Sequence, residues 1–258
     1  MRRAALVIKD ASVGYGRGKK TTCVVSEMNA SISGGELVAL IGRNGAGKST
    51  LLRTLAAYQP PLSGRVEFSG NNVGNMSQRD IARQISVVLT TSPSASLTVE
   101  ELVSLGRTPY TGFLGRLRGE DKAAVAKSME LMGIASFAKR RIEELSDGER
   151  QKCMIAKALA QETPVMLLDE PTAYLDYPSK VHLFGTLKRL AKDNGKAVIV
   201  STHDLELALR LADKVWLAEG KRLYCGTVAE LASKGVIQSF IDNENMRYNA
   251  ITNRIEII

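Results

Sequence analysis

The stretch Gly42-Arg43-Asn44-Gly45-Ala46-Gly47-Lys48-Ser49 constrains the fold of this chain more than any other. It has the form G-x-x-x-x-G-K-[ST], the pattern of a phosphate-binding loop. Ahead of it, Glu36 to Ile41 is a short apolar run of the kind that makes a buried parallel strand. Behind it, Thr50 to Tyr58 reads as a helix. Strand, glycine loop and helix together let backbone N–H groups curl around phosphate oxygens. The helix N-terminus adds partial positive charge. In that setting Lys48 reaches the β and γ phosphates and the Ser49 hydroxyl holds Mg²⁺. A loop that merely turns a strand into a helix is the plainer alternative, and the strand, the Lys and the Ser together weigh against it.

A chain of 258 residues has room for one large domain or two small ones with a substantial core. Only 5% of it is aromatic, so that core must be mostly aliphatic. Cys23, Cys153 and Cys225 are odd in number and far apart, which suggests reduced thiols in a cytoplasmic protein without metal-ligand spacing. The net charge of +8 suits nucleic acid, nucleotide or an anionic membrane surface as partner, although the commonest source of such a value is a solvated basic surface. The apolar run Ala4 to Ile8 is too short for a signal peptide, and no apolar run is long enough to span a bilayer. Work at a membrane would need another chain to do the spanning.

Short strands are expected at Leu6–Ile8, Gly64–Phe68 and Ile85–Leu89, a further strand or hairpin at Val24–Ile32, and a short helix at Ser77–Gln84. Helical patterns then take over at Thr98–Leu105, Asp121–Gly133 and Glu149–Gln161, so residues from about 93 to 160 read as a helical insertion between strands. Val165–Leu168 resumes the buried strands. Ser179–Asp193 is an amphipathic helix stopped by Gly195. Ala197–Val200 is a strand, Asp204 caps a helix Leu205–Ala212, and a hairpin turns at Glu219-Gly220. The last residues carry no readable motif.

Three further stretches carry chemistry. The strand at 165–168 ends in Asp169-Glu170, at the carboxyl edge where open α/β sheets bind ligands. Asp169 is suited to hold Mg²⁺, and Glu170 to polarise the water that attacks a γ-phosphate. His203, one of two histidines, follows the next strand on the same edge, placed to hydrogen-bond γ-phosphate or water. Leu145-Ser146-Asp147-Gly148-Glu149 opens a helix. Ser146 and Glu149 form an S-x-x-E capping box, and the same helix start is also an anion site; spacing does not choose between them.

Taken together, Gly42 to Ser49, Leu145 to Glu149, Val165 to Glu170, Tyr174-Leu175-Asp176 and His203 resemble an ATP-binding-cassette (ABC) ATPase, in order and spacing across nearly the whole chain. The resemblance implies an α/β P-loop NTPase fold: a RecA-like core, an antiparallel β subdomain and an inserted helical subdomain, in a single ATP-binding domain over 1–258. It implies ATP and Mg²⁺ as ligands and a head-to-tail homodimer with two ATP molecules sandwiched between subunits. It places Gly42, Arg43, Asn44, Gly45, Ala46, Gly47, Lys48, Ser49 and Thr50 around the phosphates and Tyr15 on the adenine. Ser146 and Gly148 contact the partner's γ-phosphate, Asp176 lies in the loop linking the two sites, and Glu170 and His203 serve catalysis.

Leu97 to Gly115 looks like the helical-lobe segment of importers of ferric siderophores, haem and cobalamin. The implied function is the ATPase subunit of such an importer, peripheral on the cytoplasmic face of the inner membrane, with permease subunits and a periplasmic or surface binding protein and without a specific nucleic acid. The alternatives are a non-transport ABC ATPase acting on DNA or ribosomes, which usually carries coiled-coil arms or a second cassette, and a P-loop kinase. Three positions depart from the family pattern. Thr90 (or Thr91) stands where a Gln commonly reaches the metal, and a Thr hydroxyl would have to bind Mg²⁺ through a water. Asp147 replaces a Gly and Glu149 a common Gln, so their carboxylates must point away or find a base. Arg107, Arg116, Arg118, Lys139, Arg140 and Arg141 gather in or beside the helical segment, either as a surface for the permease and anionic head groups or as a solvated face.

Overall fold

The computed structural model describes residues 4–16, 18–89, 96–112, 115–173 and 175–258. Thr90, Thr91 and Tyr174 lie outside them. Two sheets face each other. The antiparallel one runs in the order β2-β1-β4-β5, from β1 (Ala4–Tyr15), β2 (Thr22–Ser33), β4 (Ser63–Phe68) and the two-residue β5 (Asn71–Asn72). The other contains β3 (Leu37–Gly42), β6 (Ile85–Val88), β7 (Val165–Asp169), β8 (Ala197–Ser201), β9 (Lys214–Glu219) and β10 (Arg222–Gly226), in the order β10-β9-β3-β8-β7-β6. All its pairings are parallel except β9 with β10.

The central strands β3, β7 and β8 are buried at every residue, so both faces must be covered. Side chains alternate between the faces. Val165 and Leu167 of β7 join a core with β1, β2, β4 and the helix α1 (Lys48–Leu55). Met166 and Leu168 join a second core with the helices of the other face. Those helices are α3 (Val99–Ser104), α4 (Gly119–Leu131) and α5 (Asp147–Ala160), which fall between β6 and β7 with no named strand among the described residues, and α6 (Tyr177–Asn194). Gly195 ends α6 in the left-handed conformation, as its position predicts. The short α2 (Gln78–Gln84) is capped by Ser77 and α7 (Leu205–Leu211) by Asp204.

The end of the chain, unreadable as sequence, is structured. Helices α8 (Val228–Ser233) and α9 (Val236–Ile241) and a hairpin of β11 (Met246–Asn249) and β12 (Arg254–Ile257) follow β10. They cover Ala39 and Ile41 of β3 with Leu231, Ile237, Phe240 and Tyr248. The helix after the glycine loop also differs from expectation: it ends at Leu55 rather than Tyr58, because Ala57 turns into the left-handed region at φ 58°.

Arg107 does not belong to a basic surface. It is 5% exposed and locked in place: Nε donates to Asp121 Oδ1 at 2.9 Å, and Nη1 donates to Glu162 Oε2 and to the Ala160 carbonyl, each at 2.7 Å. Its guanidinium lies 4.2 Å from the centre of the Tyr110 ring, which adds a cation–π contact. Lys139 is paired with Glu100 at 2.6 Å, and the Arg141 guanidinium donates to Ser96 Oγ. The Arg118 backbone N–H and the Arg107 guanidinium hold the Asp121 carboxyl below its usual range. Arg107→Met should therefore leave Asp121 buried without its counter-ion and cost about 3 kcal/mol in a urea melt at neutral pH. Because the folded pKa of Asp121 is depressed, its contribution is complete above its unfolded value of about 3.9 and is lost as pH falls through the folded one. The gap between wild type and Arg107→Met should thus close on acidification below about pH 4.

Candidate active site

Parallel pairing brings the carboxyl ends of β3, β7 and β8 to one edge of the sheet, and each end delivers a different group. From β3 comes the glycine loop. Gly45 and Gly47 have φ of 78° and 94°, the left-handed region that glycine tolerates best. A Cβ on Gly47 would also lie 2.7 Å from Val24 Cγ2 of β2. Gly47 is the N-cap of α1 and offers no side chain to its first turn, so those N–H groups are left for a ligand. Ser49 and Thr50 sit in that turn, Ser49 exposed. Arg43 is exposed, and its guanidinium lies 5.9 Å from the centre of the Phe240 ring in α9.

Lys48 is buried and folded back over its own loop, Nζ donating to the Gly42 carbonyl at 2.8 Å and the Arg43 carbonyl at 3.3 Å. Burial pushes its pKa down, while Glu170 and Asp169 act in the opposite sense, which places both strand-end carboxylates within electrostatic reach of the ammonium. Asp169 is 7% exposed, and the Ser201 hydroxyl donates to its Oδ1 at 2.6 Å. Ser201 Oγ in turn accepts the Glu170 N–H at 2.9 Å. Glu170 itself has φ 48°, an unusual conformation for a residue with a side chain. Its Oε1 lies 2.7 Å from His203 Nε2. The loop, Asp169, Glu170 and His203 thus share one edge. The residue missed by sequence reasoning is Ser201, opposite Asp169 in the β7–β8 register. A hydroxyl closing an apolar strand beside one that ends in Asp was the available signal.

The oxygen donors here suit a hard cation. Ser49 and Asp169 offer a hydroxyl and a carboxylate, the donor set of a Mg²⁺ bound jointly with phosphate. Tyr15, expected to carry adenine, ends β1 and is 59% exposed, with its ring outside the core.

Ser146, Gly148 and Asp176 form a second cluster, at the N-terminal ends of α5 and α6. Ser146 and Glu149 make the full capping box, Ser146 Oγ and the Ser146 N–H both donating to Glu149 Oε2 at 2.8 Å. Those contacts hold the Glu149 carboxyl below its usual range. Asp147 lies 3.4 Å from Arg150 Nη2. The two acidic departures are thus accounted for, one turned back into the cap and the other beside a base. Asp176 caps α6 by accepting the Ser179 N–H at 2.9 Å. A Cβ on Gly148 would lie 3.2 Å from Leu175 Cδ2, so the two helix starts are in close contact.

Residues 25–173 match the family model described as ABC transporter. Over 254 residues the chain is 38% identical to an uncharacterized ABC transporter ATP-binding protein of Methanocaldococcus jannaschii, covering 98% of this chain and 86% of that one. It is 37% identical to the iron(3+)-hydroxamate import ATP-binding protein of Bacillus subtilis over 236 residues, 91% of this chain and 86% of that protein. Among solved structures, a dimeric bacterial ABC transporter cassette superposes with a TM-score of 0.76 at 25% identity, over 86% of this chain and 98% of that one.

Two substitutions test the geometry. Gly47→Ala should abolish binding of a fluorescent ATP analogue while leaving the circular-dichroism spectrum unchanged, because the φ of 94° and Val24 both oppose a Cβ. Ser201→Ala removes the hydroxyl that fixes Asp169 and the Glu170 N–H; turnover should fall about tenfold or more with nucleotide affinity nearly kept, the loss expected when two orienting hydrogen bonds go.

Proposed function

The chain belongs to the ABC transporter family, and we propose on that premise that it hydrolyses ATP to drive import of a ferric siderophore, haem or cobalamin through a separate permease. The observation that carries the enzymatic part is Glu170, its backbone N–H fixed by Ser201 and its carboxylate paired with His203, on the edge that also presents Lys48. That carboxylate polarises the attacking water, and His203 hydrogen-bonds the water or the γ-phosphate. Lys48 and the loop N–H groups take up phosphate charge. Ser49, Asp169 and Thr90 would hold Mg²⁺, which would supply charge neutralisation at the phosphate oxygens. Tyr15 stacks on adenine.

Import is supported by the likeness to the iron(3+)-hydroxamate import protein over 91% of the chain. Residues 1–258 are read as one ATP-binding domain with a helical subdomain at about 93–160. The dimer is head-to-tail, with Ser146 and Gly148 of each subunit completing the other's ATP site and Asp176 between them. Among the described residues no helix is long and apolar enough to cross a membrane, so the permease does the spanning, and a binding protein delivers the substrate to it. The subunit sits on the cytoplasmic face of that membrane. Arg116, Arg118, Arg140 and Arg141, without Arg107, form the basic side of the helical segment toward the permease and its lipid head groups.

Glu170→Gln should bind ATP as wild type does and lose turnover by about 10² or more, the contribution of a positioned general base. In size-exclusion chromatography with ATP it should run as a dimer. Turnover within a few-fold of wild type would remove Glu170 from the mechanism. For the transport reading, vesicles reconstituted with this subunit and its permease should take up ferric hydroxamate, haem or cobalamin only when ATP is present on the side of this subunit. A permease-bound subunit that hydrolyses ATP while moving none of the three would refute the assigned substrate class.

A further inference from the structure

Outside the phosphate edge, α4, α5 and α6 enclose a cavity of about 340 Å³. This is at the small end of the ~300–1,000 Å³ range of ligand pockets. Leu131, Ile155 and Leu183 give it apolar walls. Its polar lining is one-sided in chemistry: Gln151, Lys152, Ser179, His182 and Thr186 contribute, and no carboxylate does, among the described residues. Gln151 is 4% exposed, and its Nε2 has no hydrogen-bond partner among the described residues. A buried amide N–H without an acceptor is disfavoured, and native interiors rarely leave one. The terminal amide torsion of Gln is broad, so the group can turn its hydrogens toward a molecule in the cavity. Lys152, half-buried on the next position of α5, makes no salt bridge among the described residues. It feels Glu149 and Asp176 only at longer range.

We propose that this cavity binds a small amphiphilic anion, an apolar body with one carboxylate- or sulfonate-like head, whose head is received by the Gln151 amide and the Lys152 ammonium and whose body packs on Leu131, Ile155 and Leu183. An unpaired donor and a cation beside apolar walls fit that chemistry, whereas a cation or a purely apolar molecule would leave the Gln151 amide as it is. The position gives the site a use. The cavity lies between α5, capped by Ser146, and α6, capped by Asp176, so a molecule held there fixes the spacing of the two helix starts.

The probe is 8-anilinonaphthalene-1-sulfonate, an aromatic sulfonate, titrated into the full chain without nucleotide and followed by fluorescence, with decanoate as competitor. One saturable site per chain, displaced by decanoate, is expected. Leu131 is 44% exposed at the rim, so Leu131→Trp can fill the cavity with little risk to folding, and it should abolish the saturable signal with an unchanged thermal melt. Gln151→Leu and Lys152→Glu should each weaken binding about tenfold, the loss of a hydrogen bond to a charged group. Saturable binding that survives Leu131→Trp, or the absence of saturable binding in wild type, would overturn the site. Full affinity in both Gln151→Leu and Lys152→Glu would overturn the anion assignment. None of these readouts depends on ATP hydrolysis, so the outcome stands apart from that of the transport reading.

Discussion

Parallel pairing of β3, β8 and β7 is the constraint on which the rest depends. Strands that run the same way must end on the same side, and here the ends are Gly42, Ser201 and Asp169. The register then sets the detail. Asp169 pairs with Ser201, so the Ser201 hydroxyl falls between Asp169 and the N–H of Glu170. A slip of one residue would turn Ser201 to the other face and remove the brace from the Asp169 carboxylate and the Glu170 N–H. Such a slip is opposed on both faces, because every residue of β7 and β8 is buried and their apolar residues are shared between two cores.

The edge is reached by helices and loops whose polar groups find partners within the chain. Lys48 satisfies itself on two carbonyls, Ser146 and Glu149 satisfy each other, and Asp176 caps its own helix. The first turns of α5 and α6 are therefore fixed by their own caps, which lowers the conformational cost of binding there, while Lys48 has two carbonyl contacts to exchange. The C-terminal helices extend this arrangement to the strand beneath the loop. They cover Ile41 one residue before Gly42, and Phe240 stacks on Arg43.

What the sequence made legible was whatever is encoded locally. The glycine loop, the strand ends at Asp169 and His203, the caps at Ser77, Ser146 and Asp204, and the stop at Gly195 each depend on residues a few positions apart. What it hid depends on partners far along the chain. Arg107 looked like one charge among several because Asp121 and Glu162 reach it only in the fold. Ser201 had no visible role until β7 lay beside β8. Helices α8 and α9 are six residues each, too short for a periodic pattern to stand out, and they exist because β3 and β9 offer an apolar face. The acidic residues Asp147 and Glu149 looked unfavourable beside a triphosphate, and only their side-chain directions resolve the conflict.

The folded-back Lys48 carries a consequence for which anions the loop can accept. Two of the three ammonium hydrogens are already committed to the carbonyls of Gly42 and Arg43. An incoming anion must replace both bonds to draw the lysine away. Chloride, or a carboxylate that can turn only one oxygen inward, breaks about as much as it makes. A polyphosphate presents several oxygens at once to the ammonium and to the free N–H groups of the α1 turn, and so makes more than it breaks. What matters at Lys48 is therefore how many oxygens an anion can bring at once, since each must stand in for a carbonyl the ammonium already holds.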